Sequence, residues 1–435
     1  VELLLTLAYT AIFVFLIGKL KFFDLDGISL NTIKIAYLLK IAAGISVGLI
    51  YTYYYTDRLT ADTFKFFDDS KILFDAVYSQ PFDFLRMVSG IGAGAAELQP
   101  YYDKMTNWYD TFSPYNDNRT LIRLNAFLRI FSLGNYYVHV VFVCFLSLTG
   151  IIAVVKVFSR EFPLKSLEIF AVFLLLPSVL FWGSGLLKDS LVIFSLGLVL
   201  YWFDKFLYSG QVKINQLVLL ILSLFLLLIS KFHVFVLILP LLTAWWICAK
   251  TGYKPYWVFI SSTISFFMLI VLISFLTPNW NMAARLAQKQ QAFFNLATET
   301  TAGSFISIPV LEPNFISFIL NAPAGFLFCL TRPFITDGGS VLILISAIEN
   351  LLILLFCVYA LFKFRFKLIQ NKIMPWLCIF YTITFFVLIG VVTPVLGAIV
   401  RYKAQALPFL VVFFLIASNT TFHKNVIKLF SKNNS

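Results

Sequence analysis

The feature that most limits this chain is the recurrence of apolar runs about 20 residues long, the length at which an α-helix spans a hydrocarbon core. Inside lipid, backbone N–H and C=O groups find no water, so each run must satisfy its own as a helix. Eleven spans are expected, at roughly 2–18, 35–55, 136–155, 166–182, 187–204, 214–230, 232–249, 256–276, 339–361, 374–393 and 403–418. The fourth and fifth are short and meet in a tight turn near Lys188. With Pro177, Gly183 and Gly185 in this compressed stretch, one or both are expected to be tilted or broken. At 60% hydrophobic and 12% charged residues, 435 residues do not make an ordinary soluble domain. The expected fold class is all-α: a single polytopic transmembrane helical bundle over 1–435.

The formal charge of +12 would suit a nucleic-acid partner if it were clustered on one polar domain. It is instead spread through short connectors on one side of the spans: Lys19, Lys21, Lys34, Lys40, Lys156, Arg160, Lys250, Lys254, Lys363, Arg365 and the tail from Lys424 onward. This is the positive-inside bias, and it assigns the charge to orientation, with no nucleic-acid partner. The N-terminus and two long segments, 56–135 and 277–338, are then outside and the C-terminus is cytoplasmic. No cleavable leader with a basic n-region is read ahead of the first run. Five cysteines lie within apolar runs without CxxC or Cys/His spacing, so neither a metal site nor a disulfide framework is expected.

The first outer segment mixes apolar and polar residues and suits short membrane-parallel helices, with too few residues to close a core of its own. The second contains ARLAQKQQAFFNLATE, an amphipathic helix with Arg285 and Lys289 four residues apart, and then PNFISFILNAPAGFLFCLTRPF. Pro323 and Gly325 inside the latter make it a surface-lying or re-entrant element. TRPF should end that element at Arg332, because proline disfavours helix at the preceding residue.

Carboxylates first concentrate in YYYTDRLTADTFKFFDDS, residues 53–70. On a helix from Ala61 onward, Asp62 and Asp69 share a face with Phe66 while Asp68 points elsewhere. Cations gather near the same side of the membrane: Arg58, Arg119, Arg123, Arg129, Lys188 beside Asp189, Lys231 beside His233, Arg285, Lys289, Arg332, and Arg401 with Lys403. Any one of these can snorkel to the boundary as a structural residue. As a set they have the chemistry for a lipid-linked phosphate or pyrophosphate, with cations on the leaving group and a carboxylate to take a proton from a sugar hydroxyl. Asp62, Asp68 and Asp69 are the catalytic candidates. Arg58, Lys188, His233, Arg285, Lys289, Arg332, Arg401 and Lys403 are the substrate-binding candidates, with Tyr54, Phe66, Tyr101, Trp108 and Trp280 as faces for sugars. Glu349, mid-span, should face protein or a cavity. No metal or other cofactor is called for, and nothing matches HExxH, GxSxG, a P-loop or a Rossmann glycine pattern.

The strings RLNAFLRIFSLGNYYVHVVFVCFLSLTG, LLPSVLFWGSGLLKDSL, TRPF and RYKAQALPFL resemble bacterial multispanning envelope-glycan proteins of the glycosyltransferase C superfamily and the O-antigen or exopolysaccharide polymerases. The resemblance implies a polyprenyl-phosphate-linked donor, an acidic residue in the first long outer loop, and membrane-parallel helices in that loop. It puts the acidic residue at Asp62, with Asp68 and Asp69 as alternates, and the arginine of RYxxxxLPF at Arg401. The long loop here follows the second expected span, where the transferases have it after the first; in the polymerase branch an arginine pair matters more than the Asp. The implied activity is glycosyl transfer or glycan polymerisation outside the bacterial cytoplasmic membrane on undecaprenyl-linked glycan, with membrane lipid and envelope-assembly proteins as partners. Oligosaccharide transfer to protein, a lipid-linked glycan flippase and a noncatalytic assembly partner stay open.

Overall fold

The computed structural model describes residues 2–59, 61–109, 116–210, 213–277, 280–299, 304–338 and 340–419, and every regular element of these is helical. Two long helices open the chain, α1 (Glu2–Lys19) and α2 (Leu30–Tyr53). The segment between α2 and the next bundle helix holds α3 (Asp62–Ser79), α4 (Pro81–Ser89), α5 (Gln99–Tyr102) and α6 (Asn118–Ser132). The bundle resumes with α7 (Tyr136–Glu161), a broken pair α8 (Ser166–Leu175) and α9 (Pro177–Trp182), then α10 (Lys188–Tyr208), α11 (Ile214–Ser230), α12 (Phe232–Thr251) and α13 (Pro255–Leu276). The second long segment holds α14 (Met282–Glu299) and α15 (Phe315–Thr331). The chain closes with α16 (Val341–Phe362), α17 (Ile373–Val392), α18 (Leu396–Lys403) and α19 (Leu407–Ala417).

Among the described residues, eight helices are long and apolar enough to cross a membrane, or nine if α18 and α19 form one span bent by 55°. This is fewer than eleven for identifiable reasons. The run at 166–182 is cut at Pro177, whose ring cannot continue a helix already under way. The run at 214–230 makes a 17-residue helix, short for a full crossing. The run at 403–418 does not begin at Lys403: its helical stretch starts at Leu396 and breaks at 404–406, ahead of Pro408. The tail from Lys424 lies outside the described residues. Lys40, read as a connector residue, is instead fully buried ten residues into α2, where its ammonium donates to the Gly183 carbonyl at 2.9 Å.

Helix α7 runs through the main core, and α10 crosses it where Gly150 and Gly197 meet. A Cβ on Gly197 would strike the Gly150 carbonyl, so backbones approach there only because both side chains are absent. The same device seats α15 on α17, where Gly325 and Gly390 touch. As expected, α15 ends at Thr331, ahead of Arg332 and Pro333. Its final carbonyls do not stay at a surface. Asn350, nine residues into α16 and therefore about 14 Å along it, donates to Thr331 O at 2.6 Å.

The first long segment departs from expectation by closing a core of its own. Phe66, Leu73, Phe84, Met87, Trp108 and Ile122 pack together with other apolar residues of α3–α6, and Leu191 of α10 completes the cluster from below. Trp108 stacks on Tyr102 with centroids 4.4 Å apart, and the guanidinium groups of Arg119 and Arg123 lie 5.0 and 5.4 Å from its ring centroid. Borrowing Leu191 from the bundle is what lets so short a segment bury a core. We refer to this unit as the cap. It is fixed by Arg129 of α6, which donates to Ser70 Oγ at 2.8 Å and Phe67 O at 2.6 Å on α3. Burial brings that guanidinium down to about 10.

Candidate functional site

Several helix ends converge under the cap, and breaks in the chain create them. Trp182 ends α9, Lys188 and Asp189 open α10, and Lys231 is the single residue between α11 and α12. Arg401 stands in the last turn of α18 and Gln405 in the break before α19. Each break places a polar side chain where a continuous span would have placed an apolar one.

At the centre is Asp189, in the first turn of α10, where the positive end of the helix dipole favours a carboxylate. Its side chain is 2% exposed. Oδ2 accepts from Arg401 Nε at 2.7 Å, and Oδ1 accepts from Gln405 Nε2 at 2.6 Å and Lys231 Nζ at 3.3 Å. A buried carboxylate is tolerable only when surrounded by donors in this way. Arg401 lies over the Trp182 ring, 5.4 Å from its centroid, and Lys231 lies 4.6 Å from the Tyr402 centroid.

The other edge of Arg401 faces the cap. Its NH1 group pairs with Asp62 Oδ2, and Lys65 Nζ approaches Asp62 Oδ1 at 2.6 Å. Burial pushes the Asp62 carboxyl up, but Arg401 and Lys65 outweigh it and hold it below the ordinary carboxylate range. One guanidinium therefore joins a bundle carboxylate to a cap carboxylate. Lys188 stands beside this group, bonded to Asp117 and Asn118 of the cap and 5.1 Å from the Phe66 centroid.

The candidates read from the sequence divide sharply. Asp62, Arg401 and, at the margin, Lys188 are brought together. Asp69 is buried on α3 and accepts from Thr106 N at 3.2 Å, Asn107 N at 2.8 Å and Asn107 Nδ2 at 3.1 Å, so it fastens a loop of the cap. Asp68 makes an exposed bidentate pair with Arg58 at 2.7 Å, an arrangement that contributes little in water. Lys403 is buried below the site and donates to Arg332 O and Asn350 Oδ1, each at 2.6 Å. The Arg332 guanidinium pairs with Asp337. Arg285 and Lys289 stand on α14 over Trp280 and Phe293. The His233 ring sits 5.8 Å from that of Phe385, and its buried Nε2 has no partner among the described residues. Of the aromatic candidates, Phe66 and Trp108 belong to the cap core and offer no open face for a sugar.

Glu349 is buried and accepts from the Ser178 backbone and hydroxyl at 3.0–3.2 Å, which caps the start of α9. Sequence reading missed Lys65, Gln405 and the central place of Asp189 and Lys231. A signal for the last two was present: KDS and SKFH are charges set inside continuous apolar sequence, which lipid tolerates only when paired. Gln405 and Lys65 carry no such mark. Among the described residues no three His, Cys, Asp or Glu side chains gather closely enough to hold a metal ion.

Compared with known proteins, the chain matches no family model, no curated protein and no solved structure. The sequence and fold establish an integral, multi-pass, all-α membrane protein. The glycosyltransferase C or polymerase resemblance remains one of short motifs.

Proposed function

We propose that this protein is a membrane glycosyltransferase or glycan polymerase that uses a polyprenyl-phosphate- or pyrophosphate-linked sugar on the capped side of the bundle, the outer side of a bacterial cytoplasmic membrane. The observation that supports this most is Arg401, held between Asp189 and Asp62 with Lys65 and Lys231 on the same carboxylates. Arginine presents a planar fork suited to phosphate oxygens, and cations fixed before the reaction stabilise charge developing on a leaving group. In the reaction the acceptor hydroxyl loses its proton to a carboxylate, its oxygen bonds to the anomeric carbon, and the sugar–phosphate bond breaks with its electron pair going to the phosphate. Arg401, Lys231 and Lys65 would receive that phosphate, and Asp62 is the candidate carboxylate adjoining them. No cofactor enters this scheme.

A second reading, passage of a lipid-linked glycan through the bundle, is favoured by Lys40, Glu349, Asn350 and Lys403, more buried polar groups than the sequence suggested. Each of these, however, is hydrogen-bonded to protein. Transfer therefore stands ahead of translocation. The test is Arg401→Ala in cells that make the full-length protein, reading the lipid-linked glycan left unelongated or untransferred. Glycan output should fall on the order of 10²-fold or more; normal output with the variant at normal abundance would overturn the proposal.

A further inference from the structure

The two carboxylates on Arg401 are not equivalent. Asp189 belongs to the bundle, is 2% exposed and has three different side chains donating to it. Asp62 belongs to the cap, is 28% exposed and, among the described residues, pairs with Arg401 and Lys65. It opens α3 directly after the connection from α2, in which Thr56 takes a left-handed conformation, φ 57°, that a threonine rarely adopts. Asp189 fixes the guanidinium through Nε and Trp182 supports its plane. The NH1 edge is thus held in position whether or not Asp62 occupies it.

Charge points the same way. Arg401 and Lys231 pair with Asp189, and Arg401 and Lys65 pair with Asp62; with Asp62 turned away, Asp189 balances one of its two cations and Lys65 is left without its carboxylate, so the group carries surplus positive charge. That surplus suits a doubly charged phosphate or diphosphate better than a single carboxylate, and it lies at the outward-facing edge of the group.

From this we infer that Asp62 is an internal stand-in for a phosphate oxygen: it occupies the NH1 edge of Arg401 at rest, and a phosphate or diphosphate group displaces it. The inference rests on the proposed function and deepens it. Displacement frees the Asp62 carboxylate from its strongest cation next to the newly seated phosphate, so substrate binding itself releases the group able to accept a proton. Such coupling lets the correct ligand assemble the reactive arrangement, at some loss of affinity, because the ligand must first compete with the occupant.

The experiment measures binding of inorganic pyrophosphate and, separately, of undecaprenyl diphosphate to the full-length protein in lipid nanodiscs. Asp62→Asn, which removes the competing charge and keeps the size, should tighten binding about tenfold, while Asp62→Glu, which restores a competitor, should not. Lys65→Gln, at a partly exposed position where the fold is not at stake, should weaken binding several-fold. Tightening with both ligands assigns the site to the diphosphate itself, and tightening with the lipid alone assigns it to a lipid headgroup; either supports the inference. Equal affinity of wild type and Asp62→Asn, with Lys65→Gln still weakened, overturns the stand-in role and leaves the proposed function in place. No binding of either ligand to any variant, Asp62→Asn included, overturns both.

Discussion

The two long segments between bundle helices reach the same end of the bundle by different physical means. The first is a cap with a buried core of its own, organised on Trp108, and its loop 103–109 is tied down by Asp69. The second packs Leu286, Phe293, Leu311 and Phe318 against Val391 and Val392 of α17 instead of closing on itself, and one buried side chain ties it there. Gln290 of α14, 1% exposed, donates to Pro309 O at 2.9 Å and Val391 O at 2.8 Å and accepts from Leu311 N at 2.8 Å. Beside it, Phe305 pairs with Val395 in an isolated antiparallel bridge, with Ile306 N donating to Pro394 O at 2.8 Å. The cap closes on itself and meets the bundle through Leu191 and the Asp62–Arg401 and Asp117–Lys188 pairs, whereas the second segment is fixed directly to the α17–α18 junction. Asp62 sits on the cap, and Arg401 on the helix the other segment anchors.

The largest expected effect that would test this contrast is on the cap core. Trp108→Ala should cost the cap about 3–5 kcal/mol, as removal of a buried aromatic side chain does. Limited proteolysis should then cut within 62–132 while thermal unfolding of the bundle in detergent barely changes. If cap and bundle unfold together, they are one cooperative unit and the contrast fails.

A smaller effect is expected at Gln290. Replacement by alanine takes their partner from two carbonyls and an amide, at about 1–3 kcal/mol in all once water enters the vacated space and bonds to them. Hydrogen exchange should accelerate at 304–311 and at Val395–Leu396 and stay unchanged in α3–α6. Equal acceleration in the cap would show that the segments are not independently held.

The smallest effect is the acid response of the join between cap and bundle. Because the folded Asp62 carboxyl lies below its ordinary range, its pairing stabilises docking fully above the unfolded value, about 4. That contribution is lost as pH falls through the lower folded value. Hydrogen exchange at the start of α3 should therefore rise in acid before the Trp108 core opens. The step should be missing in Asp62→Asn, and a step of equal size in that variant would assign it to another group.

What the sequence determined by itself was the solvent and the class. Apolar runs of membrane length can satisfy their backbones only as helices, and Pro177 and Pro333 mark places where a helix breaks or stops. Those facts are local, written in consecutive residues. The partners of the charges were not local. Asp62 and Arg401 are 339 positions apart, and Asp189 lies 212 before Arg401. Helix periodicity put Asp62 and Asp69 on one face of α3, yet one meets a guanidinium and the other a loop backbone. Only the tertiary structure decided that, because a side chain's role depends on which helix ends meet it. Those meetings are set by close glycine crossings and by the cap core, and neither can be read from the spacing of charges along the chain.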